Sequence, residues 1–172
     1  AVVALDPGFR MVHVVQQRPA ARPVALANAA QLLHRRREGD PVLGGDAALR
    51  RLTDAAHARG IRVLGDFTSN HTGVTHEWFV AARADETAPE RAFYFFGPQG
   101  RYAAWLDVPS LPKLDHSSPE LRRRLFGDPQ GVIRRWLGPD GGLDGWRVDV
   151  ANMTGRHQDA DLHHEVAREL RA

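Results

Sequence analysis

Residues 60–73 read GIRVLGDFTSNHTG, and the fold turns on this stretch. Ile61, Val63 and Leu64 make a short apolar run between Gly60 and Gly65. A run of that length, bounded by glycines, is expected as a buried strand of a parallel sheet. It ends in Asp66, and Asn70 and His71 follow. Polar, titratable groups just past the carboxyl end of a buried strand are where α/β enzymes place their sites. A strand followed by an ordinary polar turn would give the same string, so the stretch alone leaves both readings open.

A second stretch, residues 145–152 (GWRVDVAN), repeats the arrangement. Val148 and Val150 are strand-like, and Arg147 and Asp149 alternate with them. Two residues apart on a strand, the Arg and the Asp point to one face. An inward-facing charge pair is costly unless its members serve each other or a ligand.

Together the two stretches resemble the α-amylase family of glycoside hydrolases (family 13). The family signature D-x-x-x-N-H, at the end of the third barrel strand, is matched by Asp66, Asn70 and His71. The signature G-x-R-x-D, on the fourth strand, is matched by Gly145, Arg147 and Asp149. Residues 111–115 (LPKLD) resemble a further signature in the long insertion between those strands. The family version usually ends in Asn, so Asp115 is a departure. The wording is nearest to the cyclomaltodextrinase, neopullulanase and maltogenic amylase branch, and the match covers roughly residues 40–172.

The resemblance implies an α/β fold: a partial (β/α)₈ barrel with the third and fourth strand units and an irregular insertion between them. It implies retaining cleavage of α-glucosidic bonds, with an α-glucan or maltooligosaccharide as substrate. Asp149 would be the nucleophile. Arg147, on the same strand face, would be a fixed cation that keeps the carboxylate ionised and orients it. Asp66 would help hold the Arg, and His71 would donate a hydrogen bond to the sugar. Asn152 and Met153 would border the acceptor subsite. Asn70 matches a family position that is a calcium ligand in many members, and calcium is the only cofactor implied. The family's acid Glu, after the fifth strand, and its stabilising Asp, after the seventh, have no counterpart before Ala172. Glu165 and Glu169 fall on an expected surface helix and are poor substitutes. The 172-residue chain is therefore expected to be inactive alone, lacking the 10²- to 10⁴-fold typical of general acid catalysis.

Composition is consistent with part of such a domain. The chain has 172 residues, 42% of them hydrophobic, enough to bury a core. A complete barrel of this type needs about 250 residues. There is no cysteine, which excludes disulfides and thiolate chemistry. The formal charge is +2 and the only Lys is Lys113, every other basic side chain being Arg or His. Basic and acidic residues are interspersed, so no nucleic-acid stripe is expected. No apolar stretch approaches the roughly 18 residues of a membrane span, and a soluble, cytoplasmic protein is the default expectation. Oligomeric state is not indicated.

Along the chain, residues 1–39 are atypical. Val12, Val14 and Val15 suit a strand, and residues 25–37 suit a helix with Leu26, Ala29, Ala30 and Leu33 on one face. The family's second strand and its aromatic substrate loop are not found there. A divergent or artificial start, or a shifted reading frame, would explain that. Residues 40–71 read as a barrel helix and the third strand, with Asp46 as N-cap, Leu49, Leu52 and Ala56 as the apolar stripe, and Gly60 as the stop. Residues 72–117 form the insertion, which resembles the family's domain B. Its aromatic residues are expected mostly as a small core, with one or two left to meet sugar. Residues 118–172 read as barrel helices and the fourth strand, with Ser118 as N-cap and Pro119 as first helical residue. His157, Asp159, Asp161, His163 and His164 fit no metal-ligand spacing and read as a turn and helix start. Two rival readings remain. One is a non-catalytic amylase-like binding protein, against which Arg147 and Asp149 together argue. The other is a truncated or frameshifted product without activity, whose open sheet edges would favour aggregation.

Overall fold

The computed structural model describes residues 44–138 and 142–172, and the backbone of two strands before them. Those strands are β1 (His13–Val15) and β2 (Val24–Asn28). Then come α1 (Gly45–His57), β3 (Arg62–Thr68), α2 (Glu77–Ala84), α3 (Pro119–Arg122), α4 (Val132–Leu137) and β4 (Gly145–Asp149). A small hairpin, β5 (Arg156–His157) and β6 (Ala160–Asp161), and α5 (His163–Arg171) complete the series. Four strands form one sheet in the order β1-β2-β3-β4. β1 pairs antiparallel to β2. β2 runs parallel to β3, with Val24 opposite Arg62 and Asn28 opposite Asp66.

β2 corrects the sequence reading. A helix is expected from Ala25, and no second barrel strand is found in the string; residues 24–28 instead form a strand parallel to β3. A four-residue apolar run, Val24–Ala27, cannot be assigned by periodicity alone, and its two alanines tip it towards helix. The rest of that expected helix, residues 29–37, lies outside the described residues.

Contacts divide the chain into two compact units. The first comprises Ala1–Phe67 and Arg135–Val148. On β3, Val63, Gly65 and Phe67 are buried, while Leu64 and Asp66 on the other face are only half-buried. Phe67 meets Trp146 of β4 with ring centroids 5.8 Å apart. Gly65 allows this seating, because a Cβ there would lie 2.6 Å from Trp146 Cε3 and 2.9 Å from Leu143 Cδ1. Helix α1 departs in detail from expectation. Its N-cap is Gly44, at φ +90°, and Asp46 stands in the first turn, where Arg135 Nη2 donates to its carboxylate at 2.7 Å. Leu52 is 46% exposed, and the packed face carries Thr53 and Ala56. Thr53 can be buried because its hydroxyl donates back to the Arg50 carbonyl at 2.9 Å.

The second unit comprises Thr68–Arg134 and Asp149–Ala172. The insertion has its own aromatic core. Phe79 of α2 is buried and meets Tyr94 and Tyr102 edge-on, at 5.0 and 4.8 Å between centroids. Its backbone pairs through isolated bridges, His71 with Lys113, Tyr94 with Leu114 and Ala104 with Pro112. The prolines cannot donate to a ladder, which keeps these pairings short. Ser118 caps α3, accepting from the Leu121 N–H at 3.4 Å, with Pro119 in the first turn, as the sequence indicates. Leu121, Leu125, Phe126 and Val166 of α5 are buried in this unit. Among the described residues, no helix is long and apolar enough to cross a membrane.

Candidate active site

Strand β3 continues two residues beyond Asp66, to Thr68, and β4 stops at Asp149. The stop is abrupt because Val150 stands at φ +51°, a left-handed conformation rare for a β-branched residue. The candidate residues fall in two groups, one in each unit.

In the first unit, Asp66 and Arg147 come together across β3 and β4. Arg147 Nη1 donates to both carboxylate oxygens of Asp66, at 2.9 and 2.7 Å. The Arg is half exposed, the Asp 20% exposed. Asp144, just before β4, aligns the two strands. Its carboxylate accepts from the Val63 N–H at 2.7 Å and contacts His57 Nε2 at 2.8 Å. Its own N–H donates to the Val63 carbonyl at 2.8 Å. The Val63 amide, His57 and the nearby Arg62 together hold the Asp144 carboxyl below the usual carboxylate range, against a desolvation that would raise it.

In the second unit, Asn70, His71 and Met153 gather around Lys113 and Trp105. The Lys113 ammonium donates to Asn70 Oδ1 in a short hydrogen bond and to the Met153 carbonyl at 3.1 Å. Trp105 stacks on His71, centroids 5.0 Å apart and planes 12° off parallel. Its indole N–H points at Met153 Sδ, 3.3 Å away. Asn70 Nδ2 lies 3.3 Å from His71 Nδ1. Burial lowers the His71 pKa; the negative charge of Asp149 opposes that shift, and Lys113 reinforces it. Burial also lowers Lys113, to about 8, so it remains a cation at neutral pH. Asn152 is exposed, with its carbonyl accepting from Arg156 Nη1 at 3.0 Å.

Beneath this group, His116 is 1% exposed and lies 2.7 Å from the Ser69 carbonyl through Nε2. Nε2 must carry the proton to donate there, which leaves Nδ1 as a buried acceptor without a partner. Burial pushes its pKa down to about 4. Ser69 and Thr154 share a hydroxyl contact of 2.7 Å, tying the turn after β3 to the turn after β4.

The calcium role considered for Asn70 meets a different arrangement. Calcium is held by six to eight oxygen ligands. The amide oxygen that Asn70 would offer already accepts from the Lys113 ammonium. Two like charges would compete for one oxygen, and no group of three or more His, Cys, Asp or Glu fit to hold a metal occurs among the described residues. The residues present do not fit the ion. His157, Asp159, Asp161, His163 and His164 fall on the β5–β6 hairpin and the start of α5, where Asp161 accepts from Arg156 Nε and the His163 N–H at 3.1 and 3.2 Å.

Lys113 and Trp105 are the site residues that sequence reasoning did not single out. A signal for Lys113 was present: it is the sole Lys in an Arg-rich chain, inside the apolar run LPKLD. Trp105 is one of several aromatic residues in the insertion, and nothing in the string distinguishes it.

A parallel strand pairing with an Asp–Arg pair across neighbouring strands is the arrangement of an α/β domain. The family model for "Alpha amylase, catalytic domain" matches residues 37–169, and the chain belongs to this family. It is 32% identical over 152 residues to neopullulanase 2 of Thermoactinomyces vulgaris, covering 77% of this chain and 22% of that protein. It is 28% identical over 148 residues to oligo-1,6-glucosidase of Heyndrickxia coagulans, covering 72% of this chain and 26% of the relative. Among solved structures, Ttha1563 from Thermus thermophilus superposes with TM-score 0.65 at 35% identity, over 78% of this chain and 27% of that one. A cyclomaltodextrinase superposes at 0.63 and 29%, over 78% and 22%. The fold is thus part of the family's barrel, and the chain spans about a quarter of the length of these relatives.

Proposed function

We propose that this chain supplies the nucleophile part of a retaining α-glucan hydrolase or transglycosylase. The observation that carries the reading is the Asp66–Arg147 pair, with Asp149 two residues further along β4 at its carboxyl end. A guanidinium fixed by one carboxylate is a preorganised positive charge, the electrostatic environment an ionised nucleophile requires. In this reading an Asp149 oxygen attacks the anomeric carbon and the glycosidic C–O bond breaks. A carboxylic acid supplied outside the residues assigned here protonates the leaving oxygen. Water then attacks the glycosyl ester with proton loss to that same group, which returns Asp149 to its carboxylate with retained configuration. His71, backed by Trp105, is a hydrogen-bonding group for the sugar, and Met153 and Asn152 border the acceptor side. Residues 72–117 act as the wall of the cleft. The names of the relatives support an α-glucan or maltooligosaccharide substrate.

An activated donor tests this on the chain itself, because fluoride leaves without a proton. With α-maltosyl fluoride, the 172-residue chain is expected to release fluoride, and Asp149→Ala to release none above the uncatalysed rate. Maltooligosaccharides with ordinary leaving groups are expected to persist. Rapid maltooligosaccharide hydrolysis by the chain would show that its acid lies within the sequence at hand. No fluoride release by the wild type would favour a non-catalytic binding protein.

A further inference from the structure

Lys113 lies at the end of the insertion, 43 residues after Asn70 and 40 before Met153. It is 5% exposed, yet its ammonium reaches two oxygens that belong to different turns. One is the side-chain oxygen of Asn70, itself fully buried after β3, and the other is the Met153 carbonyl after β4. Backbone bonds run alongside: Leu114 N–H donates to the Asn70 carbonyl at 2.9 Å, and Thr72 N–H to the Pro112 carbonyl at 3.1 Å. A cation joining oxygens from separate loops does what a structural divalent ion does. An ammonium is a compact point charge with three donors on a flexible stem, whereas a planar guanidinium is a wide fork. That difference explains a Lys here in a chain whose other basic side chains are Arg or His.

We propose that Lys113 is a resident cation of this fold, which joins the turns after β3 and β4 to the insertion and makes a divalent metal at Asn70 unnecessary. The proposal does not depend on the catalytic reading.

Thermal unfolding of the full chain tests it, with wild type, Lys113→Met, Asn70→Leu and the double variant each measured in EDTA and in millimolar calcium. The wild-type Tm is expected to be the same in both. Lys113→Met removes the donor to the buried Asn70 oxygen and to the part-buried Met153 carbonyl and is expected to lower Tm by about 5 °C, with no recovery in calcium. The double variant is expected to melt close to the less stable single variant, since the two side chains act as one unit. A wild-type Tm that rises with calcium overturns the proposal. So does a Lys113→Met chain that melts with the wild type, or two losses that simply add. Should the double variant fail to fold, the EDTA comparison on the wild type and the Lys113→Met shift decide the matter.

Discussion

At the scale of single residues, the tightest constraint is Gly65. Its missing side chain is the space into which Trp146 and Leu143 pack. Gly65→Ala would force the indole or β3 to move, and overpacking of this kind costs about 1–3 kcal/mol. Urea unfolding should record that loss, and an unchanged midpoint would mean that the Trp146 ring is not seated there. His116 gives a pH signature instead. It is neutral in the folded chain, with its pKa lowered from 6.5 to about 4 by burial. The unfolded chain therefore binds the extra proton first as pH falls. Stability is complete above pH 6.5 and declines between 6.5 and 4, by about 3 kcal/mol in all. His116→Gln keeps a donor for the Ser69 carbonyl but cannot charge. Its stability should lose most of that slope, read as unfolding midpoints at pH 7 and pH 5.

At the scale of elements, Asp144 sets how β4 enters beside β3. Its carboxylate holds the Val63 amide and its own amide holds the Val63 carbonyl. Asp144→Ala leaves the Val63 N–H, on a buried residue, without its acceptor, at a cost of about 1–3 kcal/mol. Amide exchange at Val63 should accelerate more than at Phe93, deep in the insertion. β3 and β4 were legible because an apolar run between glycines and an alternating GWRVD have few alternatives. The caps of α3 were legible because Ser-Pro is a local signal. β2 was not, since VALAN satisfies strand and helix alike until its partner β3 is known. The exposure of Leu52 was not either, because the packed face of α1 uses Thr53, whose polarity is answered within its own turn.

At the scale of the molecule, each of the two groups of candidate residues is drawn from distant sequence. The motif residues at 66, 70, 71, 147 and 149 stood out in the string because they match two short signatures on, or just after, expected strands. The Lys113 and Trp105 contacts did not, because they join residues far apart in the chain, up to 48 positions, through the insertion. No spacing rule encodes such contacts. Trapping the glycosyl-enzyme tests the proposed role of Asp149 as nucleophile. The chain is incubated with a 5-fluoro-α-glucosyl fluoride, whose ring fluorine slows the second step, then digested and mapped by mass spectrometry. One glycosyl unit on the peptide containing Asp149, absent from Asp149→Asn, is the predicted result. A label on another carboxylate, or one that persists in Asp149→Asn, would contradict it.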